Sequence, residues 1–173
     1  EHFKQDIPNV TETLRKLIVE QEQGNKNYIK ARNAFLEILK DSINPDITTE
    51  DVKEMMIQHI LTADIFNTIF DEVQFHRENN IAKELENVLA TFFTGSVRRA
   101  TLESIKHYYQ TIKANASGIA DHHEKQRFLK VIYETFYNQE IDKRNFRKKI
   151  FLFYHKQIFY VIKFFFIKNS SIV

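Results

Sequence analysis

The residues that most resemble a chemical site are two adjacent histidines between an aspartate and a glutamate. They lie in "GIADHHEKQRFLKVIYETFY", residues 118–137. Neighbouring residues on an α-helix point about 100° apart, so His122 and His123 cannot easily bind one metal ion. Helical metal pairs use a spacing of three or four residues, as in H-E-x-x-H, and that motif is absent here. The spacing argues against a metal site, although a metal-dependent enzyme using these histidines and nearby acidic positions stays an alternative hypothesis.

The same segment has the features of a helix start. Asp121 is a favourable N-cap residue, and Glu124 follows it at capping-box spacing. Beyond them, an apolar stripe continues at helical spacing through Phe128, Leu129, Ile132, Tyr133, Phe136 and Tyr137. We therefore predict a helix that begins with two exposed histidines and holds no catalytic residue.

The remaining polar residues form no catalytic motif. Three glycines cannot build a Walker A loop, a dinucleotide fingerprint or a G-x-S-x-G elbow. Because the chain has no Cys, disulfides, thiolate zinc sites and a cysteine nucleophile are excluded, which is consistent with a reducing cytoplasm. Glu50, Asp51 and Glu54 lie at a predicted helix start, where carboxylates complement the helix dipole. His59 and His76 are interpreted as a core-edge and a loop histidine. We predict no catalytic residue, metal or cofactor in this chain.

Two groups of cations are candidate contacts for nucleic-acid phosphates. Arg98 and Arg99 are adjacent, and "KRNFRKK" at residues 143–149 carries cations and no anion. The net charge of +2 does not itself indicate nucleic-acid binding, and an exposed arginine pair is more often solvated surface. Phosphate contact is independent of sequence and sensitive to salt. The predicted backbone contacts are Arg98, Arg99, Lys143, Arg144, Arg147, Lys148 and Lys149.

The elements that position these residues are predicted to be helices. Three Gly and two Pro are few for a sheet protein with tight turns, and apolar residues recur at helical spacing. Pro8 is expected at the first helical position, Gly24 and Gly95 at helix ends, and Thr48 in a capping box with Asp51. Separate helices are expected from "TADIFNTIFDEV" and over residues 100–117. We predict an all-α, irregular bundle of about seven helices over residues 8–138, within a domain of residues 1–140.

The extension at residues 141–173 differs from this domain in composition. Lys, Phe, Ile, Asn and Tyr dominate it, and Gly, Pro, Ala and Glu are absent. A membrane span is disfavoured, because His155, Lys156, Gln157 and Lys163 interrupt the run of about 18 apolar residues that a span needs. Two interpretations stay open. The extension is either a terminal helix or strand packed on the core, or the product of a frame slip in A/T-rich DNA.

The central stretch resembles a known family. "NPDITTEDVKEMMIQHILTADIFNTIFDEVQFHRENNIAKELENVLATFF" and "YYQTIKANASGIADHHEKQRFLKVIYETFY" are similar to a segment of large, single-polypeptide, type I-like bacterial restriction-modification enzymes. The strings "QHILTADIF" and "FHRENNIAKELE" carry the most specific likeness. Enzymes of this family join a nuclease, a helicase-like ATPase, an adenine-N6 methyltransferase and target recognition in one chain. The similar segment in them is a helical coupler between the ATPase and the methyltransferase.

The resemblance implies a non-catalytic coupler and transfers no active-site residue. The implied partners are the flanking helicase-like and methyltransferase domains, and ATP, Mg and S-adenosylmethionine are implied only for those domains. In the family a Gly-containing segment ending in Tyr-Thr-Pro opens the methyltransferase, whereas here the extension follows Asn138. Since the sequence also begins without Met, we expect a coupler segment of a longer or interrupted gene. The alternative is a stand-alone helical interaction or oligomerisation domain that associates through the extension.

Overall fold

The computed structural model describes residues 3–70, 80–121, 123–124, 127–128 and 131–132. All regular secondary structure in these residues is helical, so the predicted all-α class is confirmed. A 3₁₀ turn at Glu103–Ile105 separates the last two helices. The helices are α1 (Phe3–Gly24), α2 (Lys26–Ser42), α3 (Thr49–Phe70), α4 (Asn80–Leu89), α5 (Gly95–Leu102) and α6 (Lys106–Ser117). The extension at 141–173 lies outside the described residues, and the predicted count of about seven helices stays a prediction.

α3 is the central helix of the described part. Every residue from Met55 to Ala63 is buried, which is the pattern of a helix surrounded by others. It packs against α1, α2 and α6, while α2 also packs against α4. Burial of each large apolar side chain contributes roughly 1.5–3 kcal/mol. The neighbouring helices contribute Ile7, Val10, Leu14, Ile18, Tyr28, Phe35, Leu39, Leu85, Val88, Ile105 and Ile112 to this core.

Local sequence signals fix several helix ends as predicted. α1 ends at Gly24, and the side-chain oxygen of Asn25 accepts a hydrogen bond from the Tyr28 amide at 3.0 Å, which caps α2. The expected capping box of α3 is confirmed. The Thr48 amide donates to the Asp51 carboxylate at 2.8 Å, and the Asp51 amide donates to the Thr48 hydroxyl at 3.2 Å.

Two predicted helix starts are wrong. Pro8 lies inside α1, which begins at Phe3, because the turn before it is held by tertiary contacts. Ile7 is fully buried, and Asp6 accepts a hydrogen bond from the hydroxyl of Tyr108 at 2.7 Å. The expected separate helix from "TADIF" is the continuation of α3. Threonine is a common N-cap residue, but the Thr62 hydroxyl donates to the Gln58 carbonyl of the preceding turn at 2.7 Å. The helix therefore continues through Thr62.

Two further predictions for the region after α4 are wrong. α4 ends at Leu89, where the Phe93 amide donates to the Leu89 carbonyl at 2.7 Å, and Gly95 instead opens α5 with a φ of 50°. The single helix predicted over residues 100–117 is interrupted by the 3₁₀ turn. Residues three apart eclipse in such a turn, which places Leu102 and Ile105 together in the core.

Candidate interdomain scaffold and nucleic-acid surface

Polar contacts join α1 to α3 directly and also through α6. At one end, Glu22 of α1 lies 3.7 Å from Lys53 near the start of α3. Arg15 of α1, seven residues before Glu22, contacts Glu54, which is the residue after Lys53 on α3. At the other end, the N-terminal turn of α6 contacts both helices, as described below. Sliding of α1 along α3 would break both of these ion pairs.

The central contact is a bidentate ion pair between α1 and α3. Nε of Arg15 donates to one carboxylate oxygen of Glu54 at 2.9 Å, and a terminal guanidinium nitrogen donates to the other at 3.1 Å. The Arg15 side chain is 32% exposed and that of Glu54 is 14% exposed. Two parallel charge-assisted bonds fix direction as well as distance, so this pair resists rotation of one helix against the other.

A second set of charges joins the end of α1 to α2 and α3. Glu22 accepts from Arg32 of α2 at 3.3 Å and also contacts Lys53 of α3, which in turn donates to Glu50 at 2.9 Å. The Arg32 guanidinium lies 5.8 Å from the ring centre of the buried Tyr28, within the range of a cation–π interaction. Burial, reinforced by the charge of Glu22, raises the pKa of Tyr28 far above its ordinary value.

Two tyrosines of α6 fasten that helix to α1 and α3. The Tyr108 hydroxyl donates to Asp6 at 2.7 Å, and the Tyr109 hydroxyl donates to the Leu61 carbonyl at 2.9 Å. Burial, together with the hydrogen bond to Asp6 and its charge, raises the pKa of Tyr108 to about 12. The Tyr108 phenol therefore stays a neutral donor at ordinary pH. The two tyrosine hydrogen bonds together hold α6 in one position.

α4 and the turn after it are attached through side chains of α2 and α3. The Asn25 amide nitrogen donates to the Thr91 carbonyl at 3.2 Å while its oxygen caps α2. His59, buried in α3, contacts Glu86 of α4 at 2.5 Å, which confirms its predicted place at the edge of the core. Phe92 packs edge-on against Tyr28 with ring centres 5.3 Å apart. α1, α2, α3, α4 and α6 are thus linked by specific polar or aromatic contacts.

The predicted phosphate-contacting residues are only partly within the described part. Arg98 and Arg99 lie on α5, where Arg99 is exposed and Arg98 half-buried. The remaining predicted contacts, Lys143, Arg144, Arg147, Lys148 and Lys149, lie outside the described residues.

The histidine segment has the predicted local structure. The Asp121 carboxylate accepts a hydrogen bond from the Glu124 amide at 2.9 Å, so the predicted N-cap is confirmed. His123 is exposed, and His122 lies outside the described residues. The described ranges contain no group of three or more His, Asp or Glu side chains placed to share a metal ion. Within those ranges, every helix is either too short or too polar to span a bilayer.

Sequence patterns did not reveal the contacts between distant helices. The acidic residues at the start of α3 are expected to complement the helix dipole, yet Glu54 also pairs with Arg15 of α1. The available signal was local: Arg15 directly follows Leu14 at the border of the apolar stripe of α1. An arginine side chain at such a border packs its methylene groups against the core, and its guanidinium group is then placed to meet a carboxylate of a neighbouring helix.

The family follows from a match over most of this scaffold. Residues 1–124 match the family model described as "Type ISP restriction-modification enzyme, coupler domain". The chain belongs to this family of coupler domains. The predicted resemblance is therefore confirmed, and the match includes α1 and α2, which precede the most specific strings. None of the curated proteins matches the chain.

Two solved structures are similar to this coupler. One is the cryoEM structure of a DrdV–DNA complex, with 48% sequence identity, a TM-score of 0.67, and coverage of 80% of this chain and 14% of that chain. The other is a nuclease-deletion mutant of the Type ISP restriction-modification enzyme LlaGI with a DNA substrate mimic. It is 22% identical with a TM-score of 0.65, covers 82% of this chain and 12% of that chain, and shows the shared fold alone. The coupler thus spans a small part of each solved chain.

Proposed function

We propose that this coupler is a non-catalytic spacer that holds a helicase-like, ATP-driven motor in a fixed relation to an adenine-N6 DNA methyltransferase. The family match over residues 1–124 is the observation that carries the proposal. In this proposal the chain acts in the bacterial cytoplasm as a bundle of about seven helices with an apolar extension. ATP, Mg and S-adenosylmethionine would be bound by the flanking domains and not by this chain.

The contacts between helices support a mechanical role. A spacer that transmits displacement must not bend between its ends, and close-packed interiors transmit strain. The Arg15–Glu54 pair, the charges around Glu22 and the two tyrosine anchors oppose sliding of α1, α3 and α6. Movement at one face of the bundle would then be passed to the other face with little loss.

Contact with the DNA backbone is the second part of the proposal. Arg98 and Arg99 on α5 would meet phosphates, together with Lys143, Arg144, Arg147, Lys148 and Lys149. The DNA in both similar solved complexes supports this suggestion. Recognition of a particular sequence would lie in another domain, since phosphate contacts carry no sequence information.

A bridging experiment tests the spacer role. The DrdV segments that precede and follow its matching region are made as two polypeptides with different affinity tags, and each is purified without the other. The 173-residue chain is added, and one tag is captured. We expect the second segment to co-purify only when the chain is present, and to be lost on adding excess untagged first segment.

Three results would contradict the proposal. The second segment could co-purify equally well without the chain, or the chain could bind neither segment. The chain could also form stable homo-oligomers in sedimentation experiments, lose them when residues 141–173 are deleted, and bind neither segment. That last outcome would support the alternative of a stand-alone oligomerisation domain.

A further inference from the structure

The charge on α5 and α6 differs from the charge on the other described helices. Each of α1 to α4 carries at least two carboxylates, whereas α5 and α6 carry none. Between Gly95 and Ala120 the only carboxylate is Glu103, against the cations Arg98, Arg99, Lys106 and Lys113. This segment thus has four cations and one carboxylate, a net charge of +3, whereas α2 has four cations and two carboxylates, a net charge of +2.

The outer face of α6 is polar and continuous. Ile112 and Ala116 are buried on its inner side. Lys106, Gln110 and Lys113 follow one another at helical spacings of four and three residues, so they form one ridge, and all three are exposed. The other exposed polar side chains of α6 are His107, Thr111, Asn115 and Ser117. Lysine and amide side chains donate hydrogen bonds to phosphate oxygens. The hydroxyls of Thr111 and Ser117 donate instead to the His107 and Ala114 carbonyls of the same helix.

We propose that this ridge of α6 lies along one phosphate strand of duplex DNA. The inference rests on the proposed function. It extends DNA contact to α6, a helix for which the sequence patterns predicted no functional role. Lys106 and Lys113 are separated by about 10 Å along the helix axis, which equals about three base-pair steps of one strand. Nζ of Lys106 lies 3.3 Å from the Glu103 carboxylate, and because both side chains are exposed, at 59% and 66%, this pair is weak enough for a phosphate to displace. The two ammonium groups can then reach different phosphates of the same strand.

The composition of the ridge favours DNA over an acidic protein surface. The fully buried part of a protein interface is usually apolar or aromatic. Within the described residues, the exposed large apolar side chains are Val19, Ile38, Val97 and Val131, and none of them lies on α6. A polar face without an apolar centre suits a wet, charged contact with a phosphate backbone.

The anchoring of α6 gives such a contact a mechanical consequence. Tyr108 donates a hydrogen bond to Asp6 of α1, and Tyr109 donates one to the Leu61 carbonyl of α3. A force applied to α6 by DNA would therefore act on the central helix of the bundle. The coupler would then bear load from the DNA as well as connect two domains.

The experiment measures binding of the full chain to a fluorescein-labelled duplex of about 20 base pairs, by anisotropy between about 50 and 200 mM salt. The test variant is Lys106→Gln with Lys113→Gln. The control is Lys30→Gln with Lys83→Gln, which removes two exposed lysines from α2 and α4 and leaves the same net charge. Circular dichroism checks that both variants keep the helical content of the parent chain.

The slope of log affinity against log salt is negative, and we expect its magnitude to be smaller by about 1.8 in the α6 variant. Each lost phosphate contact removes about 0.9 from that magnitude. The control should keep the parent slope. Equal slopes in the two variants would overturn the proposal. Absence of DNA binding by the parent chain at the lowest salt would also overturn it. The bridging experiment is repeated with the α6 variant and should be unchanged. Loss of bridging with an unchanged salt slope would assign the ridge to a protein partner instead.

Discussion

The Arg15–Glu54 pair provides the sharpest prediction about the scaffold. Replacing Arg15 by Gln leaves the Glu54 carboxylate, only 14% exposed, without its bidentate partner between α1 and α3. Hydrogen bonds to charged groups contribute about 1.5–3 kcal/mol, whereas exposed ion pairs contribute about 0.2–1 kcal/mol. For this half-buried pair we expect each single substitution, Arg15→Gln or Glu54→Gln, to cost about 2 kcal/mol.

A double-mutant cycle isolates the pair from the other contacts of each residue. We expect a coupling energy of about 1.5 kcal/mol between Arg15 and Glu54 in urea unfolding followed at 222 nm. The matched control is the cycle on Glu12 and Lys16, a 3.7 Å pair within α1 whose side chains are 56% and 72% exposed. That control should give about 0.3 kcal/mol. If the Arg15–Glu54 coupling is no larger than the control, the pair does not fix the register of α1 and α3.

Three further substitutions test individual contacts. Asn25→Ala should cost about 2 kcal/mol in urea unfolding, because it removes the cap of α2 and the bond to the Thr91 carbonyl. The exposed Asn27→Ala should cost less than about 0.5 kcal/mol, and equal losses would contradict the capping role. Gln58→Met should stabilise the chain by about 1 kcal/mol, since within the described residues neither buried amide atom of Gln58 has a hydrogen-bond partner. A lower melting temperature of this variant would refute that account. Because the folded-state pKa of Tyr108 is raised to about 12, its contribution is complete below pH 10 and is lost as the pH rises from 10 towards 12. Tyr108→Phe should therefore show a shallower fall in melting temperature above pH 10 than the parent, and parallel curves would be inconsistent with the shift.

Local signals predicted the parts of this fold whose stabilising contacts lie within a few residues. Thr48 and Asp51 bond each other across three residues, and Asp121 bonds the Glu124 amide, so both caps were evident from spacing. Gly24 ends α1 for a similarly local reason. Val10, Leu14 and Ile18 are buried as their helical spacing predicted. Ile38 follows Phe35 at helical spacing, which predicts an inward position, yet it is exposed whereas Leu36 is buried.

Distant contacts decided the points that the sequence patterns did not predict. A proline or a threonine is a weak stop signal when tertiary contacts stabilise the helix around it, as they do near Pro8 and Thr62. The first lies beside the fully buried Ile7, and the second satisfies its hydroxyl within the helix. The ion pairs between α1 and α3 join residues 39 positions apart, and no spacing rule identifies which charges will meet. The family resemblance identified the coupler where the residue patterns alone predicted only a helical bundle.

The most direct test of the central claim measures whether this coupler fixes the distance between the two domains that we propose it joins. A donor dye is placed on the DrdV segment that precedes the matching region and an acceptor dye on the segment that follows it. Single-molecule energy transfer is then recorded in the complex bridged by the 173-residue chain. We expect one narrow distance population in the presence of the chain, broadened by Arg15→Gln. A broad or absent transfer signal in the bridged complex, unchanged by that substitution, would contradict the account of a rigid coupler.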